Sequence, residues 1–270
     1  MSDNRWFGRL GCCLGAAAGM YVVLGTSAVR ADPPFGDTAG TVFDIITITD
    51  PSAFICMDPM GQATRQIWDK RVDGEPLVQA HLFMARYADG AVIEIGVNPE
   101  FDASAALALA ERFAGPLGQL PTSLRAGIAR FSIHGGNEGF HAGTGQIVVY
   151  TEMADQRASY DHLEESLFHE AVHASWDEAH RLSPGWQAAQ TADGGFLTGY
   201  GAASPDREDL AETALFAFAI LHHPDRFPPV DTADTQRAVP HRIAYIADLL
   251  PPDVPLIVPV APAPICDTGG

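Results

Sequence analysis

The segment His169-Glu170-Ala171-Val172-His173 constrains this chain most, because it sets two histidines four residues apart. At that spacing on an α-helix, both imidazoles project from one face and can reach a single metal ion. Glu170 follows the first histidine directly, so its carboxylate lies beside such an ion and can take a proton from a bound water. The segment predicts a helix with His169 and His173 as zinc ligands and Glu170 as general base. The alternative is two histidines that only pack on a helix.

A catalytic zinc site needs a third protein ligand and leaves a fourth position for water. His180 is excluded, because on a continuous helix it would lie roughly 10 Å below His173. A later helix, with Ser204 as N-cap and Pro205 at its first position, carries Glu208-Asp209-Leu210-Ala211-Glu212 near its start.

Glu208 and Glu212 stand at i and i+4 of that later helix, on one face. We expect Glu208 to be the third ligand, with Asp209 and Glu212 as alternatives, and Glu212 otherwise to hold a ligand in place. Asp177, four residues after His173, can orient that histidine through its other ring nitrogen. Without the histidines, the acids would be interpreted as solvent-facing groups at a helix start.

The first 31 residues have the pattern of a signal peptide. Arg5 and Arg9 form a basic start, an apolar run follows from Leu10 to about Gly25, and Val29-Arg30-Ala31 offers a cleavage site. We expect a secreted or periplasmic chain that begins near Asp32, without stable membrane insertion after cleavage. An uncleaved N-terminal anchor is the alternative.

The chain has 16 Lys+Arg against 34 Asp+Glu, which argues against binding nucleic acid or anionic lipid through its general surface. Two cysteines, Cys56 and Cys266, remain after signal cleavage, and we expect them to pair in an oxidising compartment. The alternative is two separately buried thiols. No cysteine lies near the two histidines, so a cysteine-rich structural zinc finger is excluded.

Residue patterning predicts an α+β fold with a mixed β-sheet. We expect a signal peptide at 1–31, one domain at 32–250 and a proline-rich extended tail at 251–270, with sheet-rich residues 32–150 preceding metal-site helices in 159–222. The predicted elements are strands at 41–49, 128–133 and 146–150, a hairpin at 82–97 turning at Asp89-Gly90, a helix from 103 to about 115, a glycine-rich loop at 134–143 and a helix from Asp161 whose capping box pairs Asp161 with Glu164. His134 and His141 in the loop are assigned no role.

The stretch His169 to Asp177, followed by Tyr200-Gly201 and then Glu208 to Glu212, resembles the catalytic domain of anthrax toxin lethal factor and the related Pro-Pro endopeptidases. The resemblance covers Gly143 to about Asp225. It implies a zincin-like metallopeptidase domain with Glu208 as the third ligand, Glu212 as a supporting acid and Tyr200 as the hydroxyl that stabilises the oxyanion. It also implies an edge strand, before the metal helix, that receives the substrate.

These observations together predict a secreted, zinc-dependent metalloendopeptidase acting on a peptide or protein substrate. The alternative is a secreted zincin-like protein that binds zinc but acts as a non-catalytic binding or envelope-associated factor. Glu170 favours the enzyme, because a binding protein has no use for that carboxylate.

Overall fold

A mixed six-stranded β-sheet is the scaffold of the computed structural model, which describes residues 32–40 and 44–262. Its strands are β1 (Phe54–Gln66), β2 (Leu77–Tyr87), β3 (Val92–Val97), β4 (Arg130–His134), β5 (His141–Gly143) and β6 (Gln146–Tyr150), in the spatial order β1-β2-β3-β4-β6-β5. Strands β3, β4 and β6 are parallel, whereas β1, β2 and β5 pair antiparallel with their neighbours.

Helices pack on this sheet and extend beyond it. They are α1 (Ala103–Gln119), α2 (Thr122–Arg125), α3 (Thr151–Ala158), α4 (Leu163–Trp176), α5 (Pro184–Asp193), α6 (Gly199–Ala203), α7 (Asp209–His222), α8 (Pro229–Ala238) and α9 (Pro240–Leu249). A 3-10 turn at Lys70–Val72 follows β1, and a π-helical turn at Asp177–Arg181 continues α4. The α+β class with a mixed sheet is confirmed. No helix in the described ranges is long and apolar enough to cross a bilayer.

The predicted hairpin around Asp89-Gly90 is confirmed by the antiparallel pairing of β2 with β3. Gly90 has φ +86°, a left-handed conformation that glycine adopts without a steric cost. The buried guanidinium of Arg125 forms an ion pair with the Asp89 carboxylate, so the turn is anchored to α2. The glycine at position 90 and the ion pair between Asp89 and Arg125 therefore favour the same turn conformation.

Helix α1 continues past Pro116 to Gln119, so the predicted end near Gly115-Pro116 is wrong. A proline inside a helix costs about 3 kcal/mol or more, because it removes a backbone hydrogen bond. The last turn offsets this cost through packing: Leu117 is fully buried, and Gly118 lies so close to Phe54 that a Cβ atom would clash there. Tertiary contacts therefore override the local signal.

The strand predicted at 41–49 is wrong for its described part, because residues 44–50 form bends and turns. Asp44 adopts φ +39°, and the backbone N–H groups of Ile45 and Ile46 both donate to Oε1 of Glu165 on α4. Both isoleucines are buried against the core. Their apolar character thus reflects burial of a loop, not pairing in a sheet. Residues 41–43 lie outside the described ranges.

Burial raises the pKa of Glu165 to about 7, against 4.5 for a free glutamate. The folded protein therefore binds this proton more tightly than the unfolded chain. The stabilisation is fully present below about pH 4.5 and is lost as the pH rises towards 7. We expect Glu165→Gln, which mimics the protonated acid, to match the parent near pH 4.5 and to be more stable at pH 8 by on the order of 3 kcal/mol.

Urea unfolding at the two pH values measures this difference, with exposed Glu152→Gln on α3 as the matched control. The control should show no such dependence. A Glu165→Gln difference that is the same at both pH values would contradict the assignment.

Two predicted helix starts are also wrong. Helix α4 begins at Leu163 without a capping box, because Asp161 has φ +52° and closes the preceding turn. Helix α7 begins at Asp209, because the Ser204 carbonyl accepts the N–H groups of Arg207 and Glu208 and closes a turn before the helix. Helices α2, α3, α5, α6, α8 and α9 had no counterpart in the sequence-based prediction.

Residues 251–262 of the tail form no helix or strand. The tail lies against the body through backbone hydrogen bonds, from Thr122 N–H to the Leu256 carbonyl and from Val260 N–H to the Ala88 carbonyl. Cys266 and the signal segment 1–31 lie outside the described ranges, so the Cys56–Cys266 disulfide and the cleavage site stay predictions.

Candidate metal centre

Three side chains from two helices converge at one point. His169 and His173 project from α4, and Glu208 is the N-cap residue of α7. The two Nε2 atoms lie 3.2 Å apart, and Oε2 of Glu208 lies 3.2 Å from His173 Nε2 and 3.4 Å from His169 Nε2. Within the described residues, this is the one group of three or more His, Cys, Asp or Glu side chains close enough to hold a metal ion.

This triangle fits a tetrahedral zinc ion. Ligand atoms about 2.0 to 2.1 Å from the ion at tetrahedral angles lie about 3.3 Å from one another. All three measured edges fall close to that value. Two nitrogens and one carboxylate oxygen also match the donor set of catalytic zinc sites, which leave one position open.

Packing between α4 and α7 brings these ligands together. Phe168 on α4 contacts Phe218 on α7, with ring centroids 4.7 Å apart. The small buried side chains of Ala171 and Ala211 accompany this contact in the same apolar core. Aromatic packing of this kind stabilises a helix pair without polar groups, so the helix faces carrying the ligands are held by the core.

The pKa values of His173 and Glu208 are shifted in opposite directions by their contacts in the triangle. Burial alone would lower the pKa of His173, but hydrogen bonds to Asp177 and Glu208 outweigh it and raise the pKa to about 10. Burial opposes ionisation of Glu208, yet the two histidines beside it hold its pKa well below the usual range. A divalent cation bound between the two imidazoles would also stabilise the charged form of this buried carboxylate.

The three acids near the start of α7 have different partners. Glu208 faces the two histidines, whereas Asp209 accepts hydrogen bonds from buried Arg242 at 2.6 and 2.8 Å and from Gln190 at 2.8 Å. Oε1 of Glu212 lies 3.5 Å from His169 Nδ1, behind the ligand. Thus neither alternative ligand, Asp209 nor Glu212, belongs to the triangle.

Asp177 and His180 differ in their relation to the centre. Oδ2 of Asp177 lies 3.0 Å from His173 Nδ1, the ring nitrogen that does not face the triangle. This contact orients the imidazole in the way expected from the sequence. His180 lies outside the cluster, and its Nδ1 is 2.8 Å from the Tyr245 hydroxyl.

Glu170 and Tyr200 line the cleft beside the triangle. A cavity of about 280 Å³ is bounded by both of them together with His169, His173 and Glu208. Burial raises the pKa of Glu170, so its carboxylate is a stronger proton acceptor than that of a free glutamate. Burial and the neighbouring Glu208 carboxylate raise the pKa of Tyr200 to about 12, so its hydroxyl remains a donor at neutral pH.

Residues of the short edge strand β5 also line this cleft. The cavity that contains the triangle of His169, His173 and Glu208 is also lined by Phe140, His141 and Ala142. Because β5 is the outermost strand, beside β6, its outer edge has no neighbouring strand within the described sheet. The sequence did not predict this strand, because residues 134–143 contain several glycines and no β-branched residue.

Lys70 supports the β5 wall and was not predicted from the sequence. Its ammonium group donates hydrogen bonds to the carbonyls of Gly139 at 2.8 Å and Phe140 at 2.9 Å. Its backbone N–H donates to the Tyr150 hydroxyl at the end of β6. Nothing in the local pattern of a lysine in a short turn could have indicated this role.

The two loop histidines have different environments. His134 ends β4 and is buried in a polar network, where its Nδ1 lies 2.9 Å from Asn98 Nδ2 and its Nε2 lies 3.0 Å from the Trp68 carbonyl. His141 lies on β5 in the cleft wall, and its ring packs on Trp68. Neither residue belongs to the triangle, and only His141 adjoins it.

Comparison of the chain with protein-family models, with curated proteins and with solved structures found no match.

Proposed function

We propose that this protein is a secreted zinc-dependent metalloendopeptidase with a zincin-like catalytic domain. The observation that carries the proposal is the triangle of His169, His173 and Glu208, whose edges of 3.2, 3.2 and 3.4 Å suit a tetrahedral zinc ion with one open position. Those three residues would hold the ion. When bound, zinc would supply Lewis acidity to a water molecule and to the scissile carbonyl.

The residues around the triangle account for the remaining steps. Glu170 removes a proton from the attacking water as the water oxygen bonds to the carbonyl carbon of the scissile peptide bond. It then returns a proton to the amide nitrogen of that bond as the C–N bond breaks. The Tyr200 hydroxyl donates to the oxyanion that develops on the carbonyl oxygen, an interaction that strengthens in the transition state. Asp177 and Glu212 hold the imidazoles of His173 and His169 in place.

A peptide substrate is favoured by the open edge of β5. An extended main chain can pair with such an edge, and β5 borders the cavity that contains Glu170 and the triangle. Lys70 holds the carbonyls of Gly139 and Phe140 just before this strand, which keeps the edge in position. We therefore favour a peptide or protein substrate bound alongside β5.

The second candidate is a zinc-binding protein that acts through contacts alone. The position of Glu170 in the cleft beside the histidines weighs against it. Both candidates require the metal, so metal content by itself does not separate them.

The test combines metal content with cleavage of a diverse peptide library, before and after removal of zinc with a chelator. We expect about one zinc per chain, cleavage at internal bonds, loss of cleavage on chelation and recovery on adding zinc back. Zinc without cleavage of any peptide would favour the binding protein. The absence of stoichiometric zinc would refute both candidates.

A further inference from the structure

The segment that begins the described chain is built into the candidate centre. We name residues 35–39 the N-terminal strap. Its backbone pairs with the first two residues of α6: Gly199 N–H donates to the Phe35 carbonyl at 2.8 Å, and Tyr200 N–H donates to the Gly36 carbonyl at 2.9 Å. The Phe35 ring packs on Phe216 of α7, with centroids 4.7 Å apart. The strap is thus fixed to both α6 and α7.

Thr38 of the N-terminal strap makes two hydrogen bonds to one carboxylate. Its backbone N–H donates to Glu212 Oε2 at 3.0 Å, and its hydroxyl donates to Glu212 Oε1 at 2.8 Å, across a separation of 174 residues. Both residues are buried, with 5% of Thr38 and 1% of Glu212 exposed. A buried carboxylate needs such donors, because burial alone raises the pKa of Glu212 and disfavours its charged form.

Glu212 connects Thr38 to the metal-facing histidines. Its Oε1, the oxygen that accepts the Thr38 hydroxyl, is also the oxygen 3.5 Å from His169 Nδ1. That ring nitrogen is buried and has no hydrogen-bond partner within ordinary distance. A carboxylate held behind a histidine fixes the ring orientation and places the proton on Nδ1, which leaves Nε2 free to bind a metal.

We propose that Thr38 is a positioning residue for the metal centre. It holds the Glu212 carboxylate behind His169, so the N-terminal strap completes a site whose ligands all lie more than 130 residues further along the chain. The proposal rests on the proposed function only in requiring a metal at the triangle. The strap also walls the cleft, since Asp37, Thr38 and Ala39 border a cavity of about 300 Å³ together with His169 and Glu170.

The test measures zinc affinity by competition with a chromogenic chelator and therefore does not depend on turnover. Thr38→Val removes the hydroxyl but keeps the shape and the backbone N–H. We expect it to weaken zinc binding roughly 10-fold, at the lower end of the 10- to 100-fold range for such supporting groups. Thr38→Ser restores the hydroxyl and should stay within about 2-fold of the parent.

A matched control is Thr191→Val on α5, an exposed threonine whose hydroxyl donates to the Gln187 carbonyl at 2.8 Å. We expect it to leave zinc affinity unchanged. In a Glu212→Gln background, Thr38→Val should have little further effect, because the two residues act through one contact. If Thr38→Val folds poorly, Thr38→Ala in the parent and in the Glu212→Gln background gives the same comparison, because it also removes the hydroxyl that donates to Glu212.

Two results would overturn the proposal. Thr38→Val with parental zinc affinity would show that the hydroxyl does not position the ligand, and the proposed function would stand. Equal, additive losses in the parent and the Glu212→Gln background would show that Thr38 acts elsewhere. A parent chain that binds no zinc would instead refute the proposed function.

Discussion

The Glu170→Gln variant is expected to keep its zinc and to lose about 100- to 10,000-fold in kcat, the range that general acid–base catalysis contributes. The glutamine amide has nearly the same shape as the carboxylate but cannot take a proton from water. Glu170 is not part of the triangle of His169, His173 and Glu208, so the ligands should be unaffected. Metal analysis and steady-state kinetics on one cleaved peptide measure the two effects separately.

The control is Glu111→Gln, an exposed glutamate on α1 that undergoes the same chemical change away from the cleft. It should leave both zinc content and kcat unchanged. Turnover by Glu170→Gln at the parental rate would refute the general-base assignment. Loss of zinc from this variant would show instead that Glu170 supports the metal.

Substitution of the adjacent acids Glu208 and Asp209 is expected to affect different properties: zinc affinity for Glu208 and folding stability for Asp209. Glu208→Ala removes one corner of the triangle and should weaken zinc binding by more than about 100-fold, beyond the effect of a supporting group. Asp209→Ala instead leaves the fully buried Arg242 without two hydrogen bonds from its guanidinium. Breaking such a buried ion pair costs about 3 to 5 kcal/mol of folding free energy.

Chelator competition and urea unfolding of the metal-free protein separate these outcomes. Glu208→Ala should lose its zinc affinity under conditions where the metal-free variant is still folded, and Asp209→Ala should bind zinc with nearly parental affinity under conditions where it is folded. The reverse pattern would mean that Asp209 is the ligand and that the orientation of α7 differs from the one described. Asp193, which also pairs with Arg242 at 2.9 Å, limits the destabilisation but does not remove it.

Locally encoded features were predicted well. The hairpin turn at Asp89-Gly90 follows from the conformational freedom of glycine, and β6 follows from a run of β-branched residues. Predictions failed where distant contacts outweigh local preference. Residues 44–50 form a buried loop held by Glu165, and α1 runs through Pro116 because its last turn packs on β1.

The candidate site divides in the same way. Sequence alone determined that His169 and His173 share one helix face with Glu170 beside them, because that relation depends only on the 3.6-residue period of α4. It could not determine which acid of α7 faces the histidines. Glu208, Asp209 and Glu212 are close in sequence, and only the rotation of α7 in the core directs one of them to the triangle.

Tertiary structure alone decided the parts that surround this pair. The edge strand β5, the Lys70 clamp and the N-terminal strap reach the cleft from segments with no motif of their own. Their positions depend on sheet order and on hydrogen bonds across long separations, which no local pattern encodes. Helical periodicity thus specifies the two histidines and their neighbouring carboxylate, whereas packing specifies the third acid, the supporting contacts and the walls of the cleft.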